Sequence, residues 1–250
     1  MQDIYFAYFM GALLAMVIVL YGVRLVSRGA AHSERVGQIG GTALISQGVM
    51  DTTYWALDPF VRVFVAMRFT PNMITWSALF FGIGAGVAVA FGWFGLCCVL
   101  GVWSTFLDIL DGQVARKTQS SSNSGELLDA AIDRYTEFAL VAGLIVFLRD
   151  SLPLMCLALA ALLACFMVSY ASAKAEALQV KAPRGLMRRH ERATYILAPA
   201  GFTPLVGPWI HAHVDALPSY SLVLAGLVMV AVVGNFAAIQ RFVRIGRALR

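Results

Sequence analysis

Charge is what this sequence has little of. Asp, Glu, Lys and Arg together make 13% of its 250 residues, while apolar types make 60%. A soluble domain of this length sits nearer about 45–50% apolar. A water-soluble fold is therefore excluded, and one integral membrane domain without a soluble appendage is expected. Cysteine is sparse as well. Cys97, Cys98, Cys156 and Cys165 all fall in apolar runs, with no Cys-x2-Cys pair and no His at ligand spacing. That excludes a thiolate metal site and leaves four small buried hydrophobes. There is no continuous basic patch behind the net charge of +5. Lys and Arg come in short clusters between apolar runs, a placement that orients a membrane protein and attracts anionic lipid and does not suit nucleic acid. A basic leader is missing too: Asp3 stands near the start and no small-residue cleavage site follows, so the first apolar run is expected to be retained as a span.

Apolar runs, by contrast, are abundant, and about 20 residues suffice to cross a bilayer. Residues 4–23 form the first and end at Arg24 and Arg28. Residues 29–42 read as a Gly, Ala and Ser-rich linker. Residues 43–68 alternate Leu57, Phe60, Val61 and Phe64 with Asp51, Asp58, Arg62 and Arg68, the pattern of an amphipathic helix at the membrane interface or of a loop-helix packed on the protein, with Pro59 near a break. Six further spans are expected at 73–91, 94–116, 126–148, 153–177, 193–210 and 219–240. The sixth of the seven holds Pro199, Pro204 and Pro208 and should be kinked or short. His211 and His213 read as surface loop residues, and Arg241, Arg244, Arg247 and Arg250 as an interfacial tail. When the spans alternate, all the basic clusters fall on one side, which the positive-inside rule assigns to the cytoplasm.

Against this background four acids at 108–133 demand an explanation. At about 100° per residue, Asp111 lies within about 60° of Asp108, and Gly112 and Ala115 share that side. Asp129 and Asp133 stack four apart on the next helix, with Gly125 one turn earlier. Asn123 followed by Glu126 fits an N-cap with a capping box for that helix. Folded together, the two helices would bring four carboxylates into one space. Such charges repel unless cations sit among them, and oxygen-only ligands suit Mg²⁺, Mn²⁺ or Ca²⁺. Two such ions about 3.5–4 Å apart serve phosphoryl transfer. Small residues leave room for a phosphate or flat base, and Arg116 can fork onto phosphate oxygens. Two other readings remain open: acids paired structurally with Arg116, Lys117 and Arg134, or the ion path of a transporter. The second is disfavoured because the acids cluster at one face and do not line a route across.

The spacing Asp108-x2-Asp111-Gly112-x2-Ala115-Arg116-x8-Gly125-x3-Asp129-x3-Asp133 resembles the signature of the CDP-alcohol phosphotransferases, with every fixed position filled. The resemblance implies an all-α membrane fold: a six-helix catalytic domain at 70–250, an interfacial helix at 43–69, and an added transmembrane helix and linker at 1–42. It implies that a hydroxyl attacks the β-phosphate of a CDP-linked lipid such as CDP-diacylglycerol, releasing CMP. By the same resemblance Asp108, Asp111, Asp129 and Asp133 bind two divalent cations, Mg²⁺ or Mn²⁺, and Asp133 takes the hydroxyl proton. Gly112, Ala115 and Arg116 would hold the cytidine diphosphate. Thr70-Pro71-Asn72-Met73-Ile74-Thr75 is similar to a family segment beside the nucleotide site, which implicates Asn72 and Thr75. Ser122 and Gly125, in the gap of the motif, are implicated in the same way.

Two weaker similarities bear on the acceptor. Ser169-Tyr170-x2-Ala173-x-Ala175-Glu176 resembles the family, and Arg189-His190-Glu191-Arg192 resembles its phosphatidylinositol-phosphate synthase branch. They imply that Lys174, Arg184, Arg189 and Arg192 receive an acceptor phosphate, so a phosphorylated polyol such as inositol phosphate or glycerol phosphate is expected. Serine or a choline-type alcohol is the alternative. Asn235, Gln240 and Arg241 resemble the polar end of the family's last helix. Membrane lipids and a second copy of the chain, as a homodimer, are the expected partners. The expected location is the cell (inner) membrane, with the site facing the cytoplasm.

Overall fold

A computed structural model describes residues 2–29, 47–180 and 186–250. Among the described residues eight helices follow one another: α1 (Gln2–Arg28), α2 (Gln47–Ala66), α3 (Pro71–Ala90), α4 (Phe94–Lys117), α5 (Asn123–Phe147), α6 (Leu152–Ala177), α7 (Arg189–His213) and α8 (Ser221–Ala248). Among the described residues there is no strand. Five helices, α1, α3, α4, α6 and α8, are long and apolar enough to cross a membrane. The other two expected spans, α5 and α7, run 25 residues each but open on polar turns. Most of the expected 29–42 linker lies outside the described residues.

The six helices from α3 onward share one core. Ala85, Val89, Cys97, Val141, Leu144, Ala161, Leu197 and Leu227 pack there. Small residues set how closely the helices approach. A Cβ on Gly86 of α3 would stand 2.2 Å from the Ala139 carbonyl oxygen, and one on Gly143 of α5 would stand 2.1 Å from the Gly86 oxygen. The two backbones therefore touch directly. Asn235 of α8 donates to the Ala160 carbonyl of α6 at 2.9 Å, tying that pair together.

Prolines do not stop the helices where the sequence suggests. α2 runs through Pro59, and its Leu57 and Val61 are buried against Ile74, Leu107, Leu110 and Val114. That packing outweighs the lost backbone donor, so the helix is both amphipathic and seated on the core. α7 is neither short nor interrupted, in spite of Pro199, Pro204 and Pro208. Pro199 cannot donate to the Tyr195 carbonyl. Gly226 of α8 packs on that oxygen instead, so closely that a Cβ would lie 1.9 Å from it. The Thr203 hydroxyl donates to the Pro199 carbonyl at 2.8 Å.

Several other expectations are corrected. Ser122, not Asn123, caps α5, its Oγ accepting from the Gly125 amide at 3.1 Å. The cap thus shifts one residue earlier and no capping box is needed. Cys156 is exposed, while the other three cysteines are buried. Arg241 is not part of an interfacial tail: α8 extends past it, and its buried guanidinium donates to the Ser172 hydroxyl at 2.8 Å and the Leu186 carbonyl at 3.0 Å.

The added helix α1 is anchored by Asp3. Trp93, at the N-cap of α4, supplies no side-chain acceptor. Asp3 does so from elsewhere in the chain, accepting from the Gly95 amide and the Leu96 amide at 3.0 Å each. These first-turn donors have no partner within their own helix. Gly95 permits the approach, since a Cβ there would lie 2.3 Å from the Asp3 carbonyl oxygen. At its other end, Arg24 lies over the Trp55 ring of α2, 5.2 Å from its centroid. Asp3→Ala is expected to remove about 1 kcal/mol, the usual cost of a lost N-terminal cap. Thermal unfolding in detergent checks this, and an unchanged midpoint would deny Asp3 that part.

Candidate active site

α4 and α5 each bring half of the acid motif to one place. Carboxylate oxygens of Asp108, Asp129 and Asp133 lie within 4.8 Å of one another. Asp111 is placed differently. It is buried, and its Oδ2 accepts from the Thr75 hydroxyl of α3 at 2.6 Å. The expected gathering of four is thus three convergent carboxylates with a fourth held by Thr75.

A cation is already present among them. Arg189, the first residue of α7, sets Nη1 at 2.8 Å from both Asp108 oxygens and 2.5 Å from Asp133 Oδ1. The Asp108 contacts have hydrogen-bond alignment and the Asp133 contact is one of charge alone. One guanidinium cannot satisfy three carboxylates: Asp129 Oδ1 is buried with no hydrogen-bond partner. An orphaned anionic oxygen beside two others is an oxygen-only donor set that fits a hard divalent cation.

The remaining expected residues flank this centre. Arg116 folds back over Gly112, so that a Cβ there would come within 3.2 Å of its Nη1. Ala115 follows on the same helix, half-buried. A Cβ on Gly125 would meet Ser122 Oγ at 3.2 Å and Asn72 Oδ1 at 3.8 Å. Asn72, Ser122 and Gly125 therefore meet where α3 and α5 begin. Lys174 is exposed. Arg184 lies outside the described residues.

Arg192 is only 2% exposed. It donates to Glu137 Oε1 at 2.6 Å, the Met187 carbonyl at 2.7 Å and Ser169 Oγ at 3.2 Å. The basic run is thus divided by function: Arg189 faces the acids, Glu191 accepts from the Arg188 amide at 3.0 Å to cap α7, and Arg192 pins α7 to α5 and α6. Glu137 belongs to no motif in the sequence, and its one signal is its place one turn after Asp133 on the same helical face. Below the acids a cavity of about 50 Å³ is lined by Ser104, Thr136, Glu137, Arg189, Arg192 and Leu197, among others.

With this geometry in hand, comparison decides the family. The model of the CDP-alcohol phosphatidyltransferase family matches residues 68–235, well over half of the chain. The protein belongs to that family. Its reaction class follows: it is a CDP-alcohol phosphatidyltransferase, a membrane transferase of phospholipid biosynthesis. The phosphatidylinositol phosphate synthase of Cutibacterium acnes is 30% identical over 205 residues, 78% of this chain and 95% of the relative. The archaetidylinositol phosphate synthase of Methanothermobacter thermautotrophicus is 31% identical over 147 residues, 59% of this chain and 68% of the relative. The solved phosphatidylinositol phosphate synthase PgsA1 of Mycobacterium tuberculosis, with CDP-DAG bound, superposes with a TM-score of 0.65. It shares 23% identity, with 75% of this chain and 92% of that chain covered. The same enzyme in complex with manganese and citrate gives the same score, covering 75% of this chain and 87% of that one. This transferase therefore has their fold, with α1 and α2 preceding the segment that the family model matches.

Proposed function

We propose that this transferase moves the phosphatidyl group of CDP-diacylglycerol to a hydroxyl of a phosphorylated polyol, inositol phosphate first. The observation that supports it most is the convergence of Asp108, Asp129 and Asp133 under the Arg189 guanidinium. The curated relatives are named for inositol phosphate products, and Arg189 belongs to the run that resembles their branch.

In this reading Asp108, Asp111, Asp129 and Asp133 hold two divalent cations, Mg²⁺ or Mn²⁺. When bound, these neutralise pyrophosphate charge and ease departure of CMP. The chain's own residues supply the rest. Arg116 meets the diphosphate with a fork, while Gly112 and Ala115 let it approach the backbone of α4. Asn72, Ser122 and Gly125 close the far side of the donor, and Thr75 fixes Asp111. The acceptor hydroxyl forms a bond to the β-phosphorus as the bond from that phosphorus to the CMP oxygen breaks. The hydroxyl proton passes to Asp133, a carboxylate within the cluster. Residues 70–250 form the catalytic domain, and α1 and α2 are additions on its flank. The basic clusters support a site facing the cytoplasm from the cell membrane, by the positive-inside rule.

Purified enzyme in detergent, given CDP-diacylglycerol, is expected to release CMP with inositol phosphate far faster than with glycerol phosphate, serine or choline. Chelator should abolish the release, and added Mn²⁺ or Mg²⁺ should restore it. Product formed from serine alone would overturn the acceptor assignment. Turnover that ignores chelator would overturn the cation assignment.

A further inference from the structure

We infer that Arg189 is a built-in counter-ion that competes with the divalent cation for Asp108 and Asp133, so that cation binding must displace its guanidinium. The inference rests on the reading of the acids as a cation site. It goes further in assigning one residue a role against that cation.

Nη1 of Arg189 lies 2.8 Å from both oxygens of Asp108 and 2.5 Å from Asp133 Oδ1. Asp108 and Asp133 are two of the three acids whose oxygens converge. A divalent ion coordinated by those oxygens needs bonds of about 2.0–2.6 Å to them. It would share their lone pairs with the guanidinium and sit within a few ångströms of a like charge. Like charges brought that close in a partly buried place repel strongly. Both cannot hold Asp108 and Asp133 at once.

The rest of the neighbourhood does not relieve the conflict. Asp129 Oδ1 makes no hydrogen bond and is left to the incoming ion. Glu137, one turn after Asp133 on α5, is engaged by Arg192 at 2.6 Å and Arg134 at 3.7 Å. Arg189 is thus a positioning residue. It keeps the carboxylates together before the cation arrives and weakens the cation's hold once it is there.

The test is Mn²⁺ binding to the full-length protein in detergent, read by the electron paramagnetic resonance signal of free Mn²⁺, with no substrate present. Arg189→Gln is expected to bind Mn²⁺ at least about tenfold more tightly than wild type, the scale of removing a close like charge. In chelator the same variant should melt earlier than wild type, and Mn²⁺ should raise its melting point by more. Should it fail to fold in chelator, Arg189→Lys carries the test. The lysine side chain is one bond shorter, so its charge sits farther from the two carboxylates, and that variant should also bind Mn²⁺ more tightly than wild type. Equal or weaker binding by the folded variant, with Mn²⁺ still bound by wild type, overturns the role of Arg189 and leaves the cation site standing. If Mn²⁺ binds neither wild type nor variants, the cation reading falls and takes this inference with it.

Discussion

Asp133→Asn is expected to fold as wild type and to release CMP at least about 10²-fold more slowly, the scale of lost general-base help. The substitution changes little in shape. The amide side chain would keep an acceptor oxygen near Arg189, and Asp108 alone would still hold the guanidinium through two hydrogen bonds of 2.8 Å. What disappears is a negative oxygen able to take a proton. Because the acid cluster also loses one charge, the variant should require more Mn²⁺ for half-maximal rate. Measuring turnover at saturating Mn²⁺ separates the two effects, and only the proton-transfer loss persists there. Turnover near wild type under that condition would refute the assignment of Asp133 as base.

The largest expected effect on stability lies one turn away. Arg192→Met should cost about 3–5 kcal/mol, the usual result of leaving one partner of a buried ion pair alone. Arg192 holds Glu137, the Met187 carbonyl and Ser169, and thereby joins α7 to α5 and α6. Truncating it leaves the Glu137 carboxylate, in a largely closed place, with only the longer 3.7 Å contact to Arg134. The double variant Arg192→Met with Glu137→Leu should recover much of the loss, because replacing both members of a buried pair by apolar groups is often neutral or better. Unfolding midpoints in detergent compare the three proteins. A single variant as stable as wild type, or a double variant worse than the single, would contradict the account.

These two residues show what the sequence reveals and what it hides. Asp133 is legible because its spacing from Asp108, Asp111 and Asp129 is fixed by helical geometry and because acids are rare in an apolar chain. The helices are legible for the same reason: long apolar runs end at basic clusters, and the order of six core helices plus one added helix follows. Arg192 is not legible. In a run with Arg188 and Arg189 it reads as one more cation for an acceptor phosphate, and its partner Glu137 lies 55 residues away. The Asp3 cap on α4, reaching across 92 residues to Gly95, is hidden in the same way. So is Arg241, buried at 7% exposure where the sequence suggests a solvated tail. Proline misleads for a related reason. The penalty expected at Pro199 is that of a helix alone, whereas Gly226 of a distant helix packs on the carbonyl that the missing donor leaves behind.

The contact between Gly86 and Gly143 has a mechanical consequence. α3 carries Thr75, which holds Asp111, and α5 carries Asp129 and Asp133. Where their main chains abut there is no layer of side chains to compress or to change rotamer. The height of Thr75 relative to the two α5 aspartates is therefore set by direct steric contact of backbone on backbone. A slip along either axis would drive a carbonyl oxygen into a neighbouring Cβ, so the spacing between Thr75 and the two α5 aspartates stays the same while the surrounding bilayer thins or thickens.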